Sequence, residues 1–132
     1  TKDRVMCTNV FSSWTISGDA DSSKVSFTEI HDAIKEIIVD KFAGPAKTGR
    51  FSASVQRTLY EIGEAVIERF PSISSIFFSL PNIHFYPVDF KEFRTKLENN
   101  GEVFLTFDGA AGLIEATVTR KGAKLPPIRA KL

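Results

Sequence analysis

One cysteine and two histidines are all that the chain has of the residues that most often hold metals or staple loops. A lone Cys7 forms no disulfide within the chain. With only His31 and His84 beside it, no zinc-type set of Cys and His ligands can be assembled. In the alternating pattern around it, Cys7 reads as a small buried filler rather than a nucleophile. Charge of one sign is lacking too: 17 basic against 16 acidic side chains leave a net charge of +1, and no basic cluster precedes the last dozen residues. A nucleic-acid partner, which demands a positive stripe along its phosphates, is therefore not expected. No run approaches the roughly 18 apolar residues of a membrane-spanning helix, and the opening TKDRVM has no apolar signal core. Neither a metal nor a membrane is expected. The chain opens on Thr1 and runs straight into a strand pattern, which reads as a cut through a longer protein.

What is present describes one globular unit of 132 residues, 42% hydrophobic and 25% charged. A chain of this length buries roughly two thirds of the surface it exposes when unfolded. Residues 4–16, RVMCTNVFSSWTI, are rich in Val, Thr and aromatics and predict a long strand, closed by the turn formers SGDADSS. SFTE at 26–29 has the form of a capping box ahead of Ile30, Ala33, Ile34, Ile37, Ile38 and Phe42, a helical stripe that Gly44 and Pro45 end. Ser52 or Ser54 can cap a second helix with Val55, Leu59, Ile62, Val66 and Phe70 on one side and Arg57, Glu61, Glu64 and Glu68 on the other. Pro71 stops it. Residues 74–90 then read as a strand pair, or one strand broken near Pro81, because proline gives up a ladder donor. Asn100-Gly101 marks a turn, and 102–107 and 112–120 are the last extended segments. Strands without long crossovers beside two one-sided helices predict an α+β fold: an antiparallel sheet with two helices packed on one face.

Within LPNIHFYPVDF, residues 80–90, a strand would point Asn82, His84 and Tyr86 to one side and Ile83 and Phe85 to the other. The expectation is one greasy face and one that binds. Taken singly these residues are ordinary: an asparagine after proline is usually a turn residue, and a histidine among aromatics is usually a hydrogen-bonded core or edge residue. Five segments weigh more together. TKDRVMCTNVFSSWTI, SVQRTLYEIGEAVIERFP, LPNIHFYPVDF, NGEVFL and GLIEATV resemble the C-terminal half of urate oxidase (uricase), in that family's order and spacing over nearly the whole chain.

The resemblance implies a tunnelling-fold domain over residues 1–122, lacking its first strand, and a basic tail over 123–132. It further implies a homotetramer of full subunits and a partner in the N-terminal half of the same protein. Arg4 and Gln56 would grip opposite polar edges of a flat purine, and Val55 would offer its backbone N–H. Asn82 and His84 would lie over the reacting atoms as the catalytic pair, with Asn82 also binding substrate and Ile114 packing close by. Physical chemistry agrees with those roles. A guanidinium fork suits one edge of a planar anion. An amide with donor and acceptor suits another, and free N–H groups in a first helical turn favour negative charge. The implied reaction is oxidation of urate by O₂ to 5-hydroxyisourate and hydrogen peroxide in purine catabolism, with no cofactor. In the family the base is a lysine and threonine pair from the N-terminal half, so the isolated chain is expected to hold half a site and to be inactive. The alternative is a non-catalytic purine-binding or assembly module. Finally, Ala130-Lys131-Leu132 resembles the Ser-Lys-Leu address of the peroxisomal import receptor, which implies a peroxisomal location.

Overall fold

Local rules account for both helices of the computed structural model, which describes residues 5, 7–93, 96–107, 109 and 111–123. Arg4 and the Ala130-Lys131-Leu132 tripeptide lie outside these. Helix α1 (Phe27–Ala43) begins as expected, with Ser26 Oγ accepting from the Glu29 N–H at 3.3 Å. It ends at Gly44, whose N–H donates to the Asp40 carbonyl at 2.9 Å. Two constraints require glycine there. Its φ is +69°, and a Cβ would meet the Arg50 Cβ at 2.6 Å. Helix α2 (Val55–Arg69) is capped by Ser54, whose Oγ accepts from the Arg57 N–H at 3.1 Å. Ser52, the other candidate, instead donates to the Ser54 carbonyl (2.9 Å) and bonds the Thr58 hydroxyl (2.7 Å).

The strands are β1 (Cys7–Thr8), β2 (Phe11–Ile16), β3 (Ile73–Pro87), β4 (Phe104–Phe107) and β5 (Leu113–Thr119). They form one antiparallel sheet in which β1, β2, β4 and β5 all pair with β3. With two helices, this is the expected α+β fold. By contact density the chain divides into two compact units, residues 1–11 with 79–114 and residues 12–78 with 115–132.

The second unit holds the helices and most of the core. Ile30, Ala33 and Ile34 of α1, Leu59, Ile62 and Val66 of α2, and Ile73, Ile76 and Phe78 of β3 are buried. Those of α1 and α2 lie on the apolar stripes of their helices, so their burial follows from periodicity; on β3, Ile76 and Phe78 share one side while Ile73 falls on the other. Helix α2 approaches β5 closely at Gly63, where a Cβ would stand 2.7 Å from the Cβ of Val118. Arg120 ties the end of α2 to the start of β3: its Nε donates to the Ile73 carbonyl (3.1 Å), and its terminal nitrogen to the carbonyls of Phe70 (2.9 Å) and Ile67. A guanidinium thus satisfies carbonyls that the last helical turn leaves open.

In the first unit, β1 pairs with β3 in the register Cys7↔Ile83 and Thr8↔Asn82. The single long strand expected over residues 4–16 is instead two, separated at Asn9 and Val10. Continuing the register sets Asn9 opposite Pro81. Proline has no N–H to give the ladder, and its carbonyl takes the Thr8 hydroxyl at 2.8 Å. The interruption expected in β3 is therefore found in its partner, while β3 itself runs unbroken. β4 pairs through His84↔Phe107, Phe85↔Thr106, Tyr86↔Leu105 and Pro87↔Phe104. The turn before it is organised by Asn99, whose Oδ1 accepts from the N–H groups of Gly101, Glu102 and Val103 at 3.0–3.1 Å. Its Nδ2 donates to the carbonyls of Val88 (3.0 Å) and Val103 (2.6 Å).

Candidate functional site

Strand alternation sets Asn82, His84 and Tyr86 on the same side of β3, and register decides what flanks them. Thr8 stands opposite Asn82, Phe107 opposite His84 and Leu105 opposite Tyr86. The Tyr86 ring lies 6.2 Å from the His84 ring and meets Phe107 edge-on at 5.6 Å. His84 thus closes a short aromatic row. Asn82 and His84 are half-buried and Tyr86 is 43% exposed. Ile83 and Phe85, across the strand, are half-buried as well, so the expected contrast between a dry face and a binding face is absent. The alternation holds, but neither side is sealed.

Asn82 is held by its backbone, whose N–H donates to the Gly112 carbonyl at 2.8 Å. A Cβ on Gly112 would lie 3.0 Å from Asn82 Nδ2. Among the described residues no protein group hydrogen-bonds the Asn82 carboxamide. Ile114 follows on β5, half-buried.

Val55 and Gln56 belong to the other unit, at the first two positions of α2. Ser54 satisfies the N–H of Arg57 through its hydroxyl and that of Thr58 (3.1 Å) through its carbonyl. For the N–H groups of Val55 and Gln56 the helix itself has no acceptor. Val55 is half-buried and Gln56 exposed. The nearby cations are spoken for: Arg57 Nε donates to Glu61 at 2.7 Å, and Arg50 reaches the other carboxylate oxygen at 3.2 Å. The Arg57 hydrogen bond holds the Glu61 carboxyl below the usual range, and Glu61 in turn raises the Arg57 guanidinium. One turn on, the Glu64 carboxylate pushes the Tyr60 phenol up.

Of the six residues singled out in the sequence, the fold brings Asn82, His84 and Ile114 into one unit and Val55 and Gln56 into the other; Arg4 lies outside the described residues. Sequence reasoning missed Thr8 and Phe107 as flanks, and Gly112 as the neighbour of the Asn82 amide. Only strand register reveals them. Among the described residues no three His, Cys, Asp or Glu side chains gather as a metal site, and no helix is long and apolar enough to cross a membrane.

The family model described as Uricase matches residues 1–115. The uricase of Arabidopsis thaliana is 40% identical over 131 residues, an alignment covering 95% of this chain and 42% of that protein. The uricase of Danio rerio is 37% identical over 120 residues, covering 91% and 38%. Among solved structures, uricase from Arthrobacter globiformis superposes with a TM-score of 0.75 at 34% identity, over 92% of this chain and 38% of that one. A hyperthermostable mutant of Bacillus sp. TB-90 urate oxidase, at 20% identity and a TM-score of 0.60, shares the fold over 89% of this chain and 36% of its own. The chain spans about two fifths of the length of the curated relatives it matches. With a family model matching residues 1–115 and a 40%-identical relative aligned over 95% of the chain, the chain belongs to the uricase family.

Proposed function

We propose that this chain is the C-terminal part of a urate-oxidising subunit and supplies half of its active site. Urate, O₂ and water give 5-hydroxyisourate and hydrogen peroxide: two electrons leave the purine for O₂, and the oxygen of water ends on the purine as the new hydroxyl. In this reading the Gln56 amide and the Val55 N–H take one polar edge of the urate anion, and Arg4 takes the opposite edge as a fork. Asn82 holds O₂ or water over the ring, His84 passes protons, and Ile114 packs against the purine. Much of the rate enhancement in such a reaction is orientation of an electron-rich anion toward a small reactant, a task suited to fixed amides. No cofactor is needed, because the urate anion is itself the reductant.

The observation that carries this reading is the opening of α2. Two N–H groups without helical acceptors stand beside an exposed amide, in a chain of the uricase family. The N-terminal half of the protein would bring the base, and full subunits would assemble as a homotetramer. We assign residues 1–122 to the domain and 123–132 to a basic tail whose final Ala130-Lys131-Leu132 engages the peroxisomal import receptor and directs the protein to the peroxisome. For the isolated chain a second reading has one observation in its favour: it spans about two fifths of its relatives' length. With the base in the remaining part, the chain alone would hold a purine without oxidising it. The test joins this chain to the N-terminal part of the Arabidopsis uricase and follows urate consumption and peroxide release. Turnover by the joined protein that Gln56→Ala or Asn82→Ala lowers by about a hundredfold is expected. A folded, joined protein that neither binds nor consumes urate overturns the proposal.

A further inference from the structure

Gly112 needs an explanation that its backbone does not supply. Its φ is outside the left-handed region that favours glycine, so conformation alone admits any residue there. What a side chain there would crowd is the Asn82 amide. The 2.8 Å bond from the Asn82 N–H to the Gly112 carbonyl clamps the two backbones together, so Gly112 cannot recede. A Cβ at this spot would stand 3.0 Å from Asn82 Nδ2, several tenths of an ångström inside ordinary contact. On the other flank, Thr8 is the register partner of Asn82, but its hydroxyl is committed to the Pro81 carbonyl at 2.8 Å and does not hold the amide. Among the described residues the carboxamide therefore has no competing hydrogen bond, and the space beside it is the one that a Cβ on Gly112 would enter.

We propose that Gly112 is a positioning residue: its missing side chain forms the slot that sets the Asn82 carboxamide at the height required over the substrate. This rests on the role proposed above for Asn82 in urate oxidation. Gly112 itself touches no reacting atom and acts through Asn82. Gly112→Ala shifts the amide by a few tenths of an ångström while leaving the grips at Val55 and Gln56 unaltered. Because sub-ångström displacement of a catalytic group costs rate more than binding, the loss falls on kcat.

Two measurements separate this inference from the reading beneath it. In the 132-residue chain, NMR of the Asn82 side-chain amide should show its signals displaced by Gly112→Ala; unmoved signals in a folded variant overturn the slot, whatever the reaction. In the chain joined to the N-terminal part of the Arabidopsis uricase, Gly112→Ala should lower kcat for urate about tenfold and change KM less than about threefold. It should cost nothing further in an Asn82→Ala background. An equal loss with and without Asn82 shows that Gly112 acts on something else and refutes the proposal. If the wild-type joined protein is folded and inert toward urate, the functional reading fails while the NMR result still decides the slot. Should Gly112→Ala unfold the chain, the shorter side chain of Asn82→Ser must restore folding to the double variant; if it does not, the clash is elsewhere and the inference falls.

Discussion

Replacing Gly63 by alanine separates tertiary packing from helix propensity, because the two predict opposite signs. Gly63 lies in the interior of α2, where a glycine normally costs about 0.8–1 kcal/mol relative to alanine, so propensity alone makes Gly63→Ala stabilising. The structure opposes this. A Cβ at position 63 would stand 2.7 Å from the Val118 Cβ and 3.2 Å from its Cγ1, whereas carbon atoms rest about 3.5–4.0 Å apart. Val118 is buried and β-branched, so it has no cheap rotamer to turn into. Helix and strand must therefore part by something near 1 Å, an overpacking cost of about 1–3 kcal/mol. After the propensity gain a net loss of up to about 2 kcal/mol remains, a fall in Tm of up to roughly 7 °C for a chain of this size. Urea and thermal unfolding followed by circular dichroism read it directly. Val118→Ala in the Gly63→Ala background should recover part of the loss, giving a coupling of about 1 kcal/mol between the two sites. A Gly63→Ala variant more stable than the wild type would refute the close approach of α2 to β5.

Three further outcomes follow from the same reasoning. Arg120→Lys keeps the charge but loses the fork that reaches the carbonyls of Ile67, Phe70 and Ile73, and should cost about 2 kcal/mol in urea unfolding. Ser54→Ala should cost about 1 kcal/mol through the lost cap of α2, and Ser52→Ala should not reproduce the loss of the Arg57 N–H partner. Glu61 is held below the ordinary carboxylate range chiefly by its hydrogen bond from Arg57, so its contribution to stability is present above that range and disappears as pH falls through its folded value. Wild type should therefore exceed Glu61→Gln in stability near neutral pH, with the difference vanishing in acid and shrinking with salt. A difference that grows on acidification would contradict the ion pair.

What the sequence made legible is what depends on neighbours in the chain. The stripes Ile30-Ala33-Ile34 and Leu59-Ile62-Val66 repeat at helical spacing, and Ser26, Gly44 and Ser54 lie where caps belong, so both helices could be read without coordinates. The common side of Asn82 and His84 follows from the two-residue period of a strand. What failed was everything set by pairing. Pro81 was a visible disturbance, but sequence could not say that the partner strand would break at Asn9 and Val10 while β3 continued. Arg120 caps a helix some fifty residues earlier in the chain, and no local pattern announces that. Gly63 and Gly112 look like generic glycines until Val118 and Asn82 are found beside them. For the site, residue identities came from family segments, whereas the flanks Thr8 and Phe107 and the slot at Gly112 came from register.

The most direct test of the urate reading is a crystal structure of this chain joined to the N-terminal part of a uricase, soaked with urate in the absence of oxygen. One purine is expected, with Gln56 and the Val55 N–H on one edge, the Arg4 guanidinium on the other, and the Asn82 carboxamide above the ring beside His84. Urate bound elsewhere, or Gln56 and Asn82 on separate surfaces with no common hollow, would contradict it.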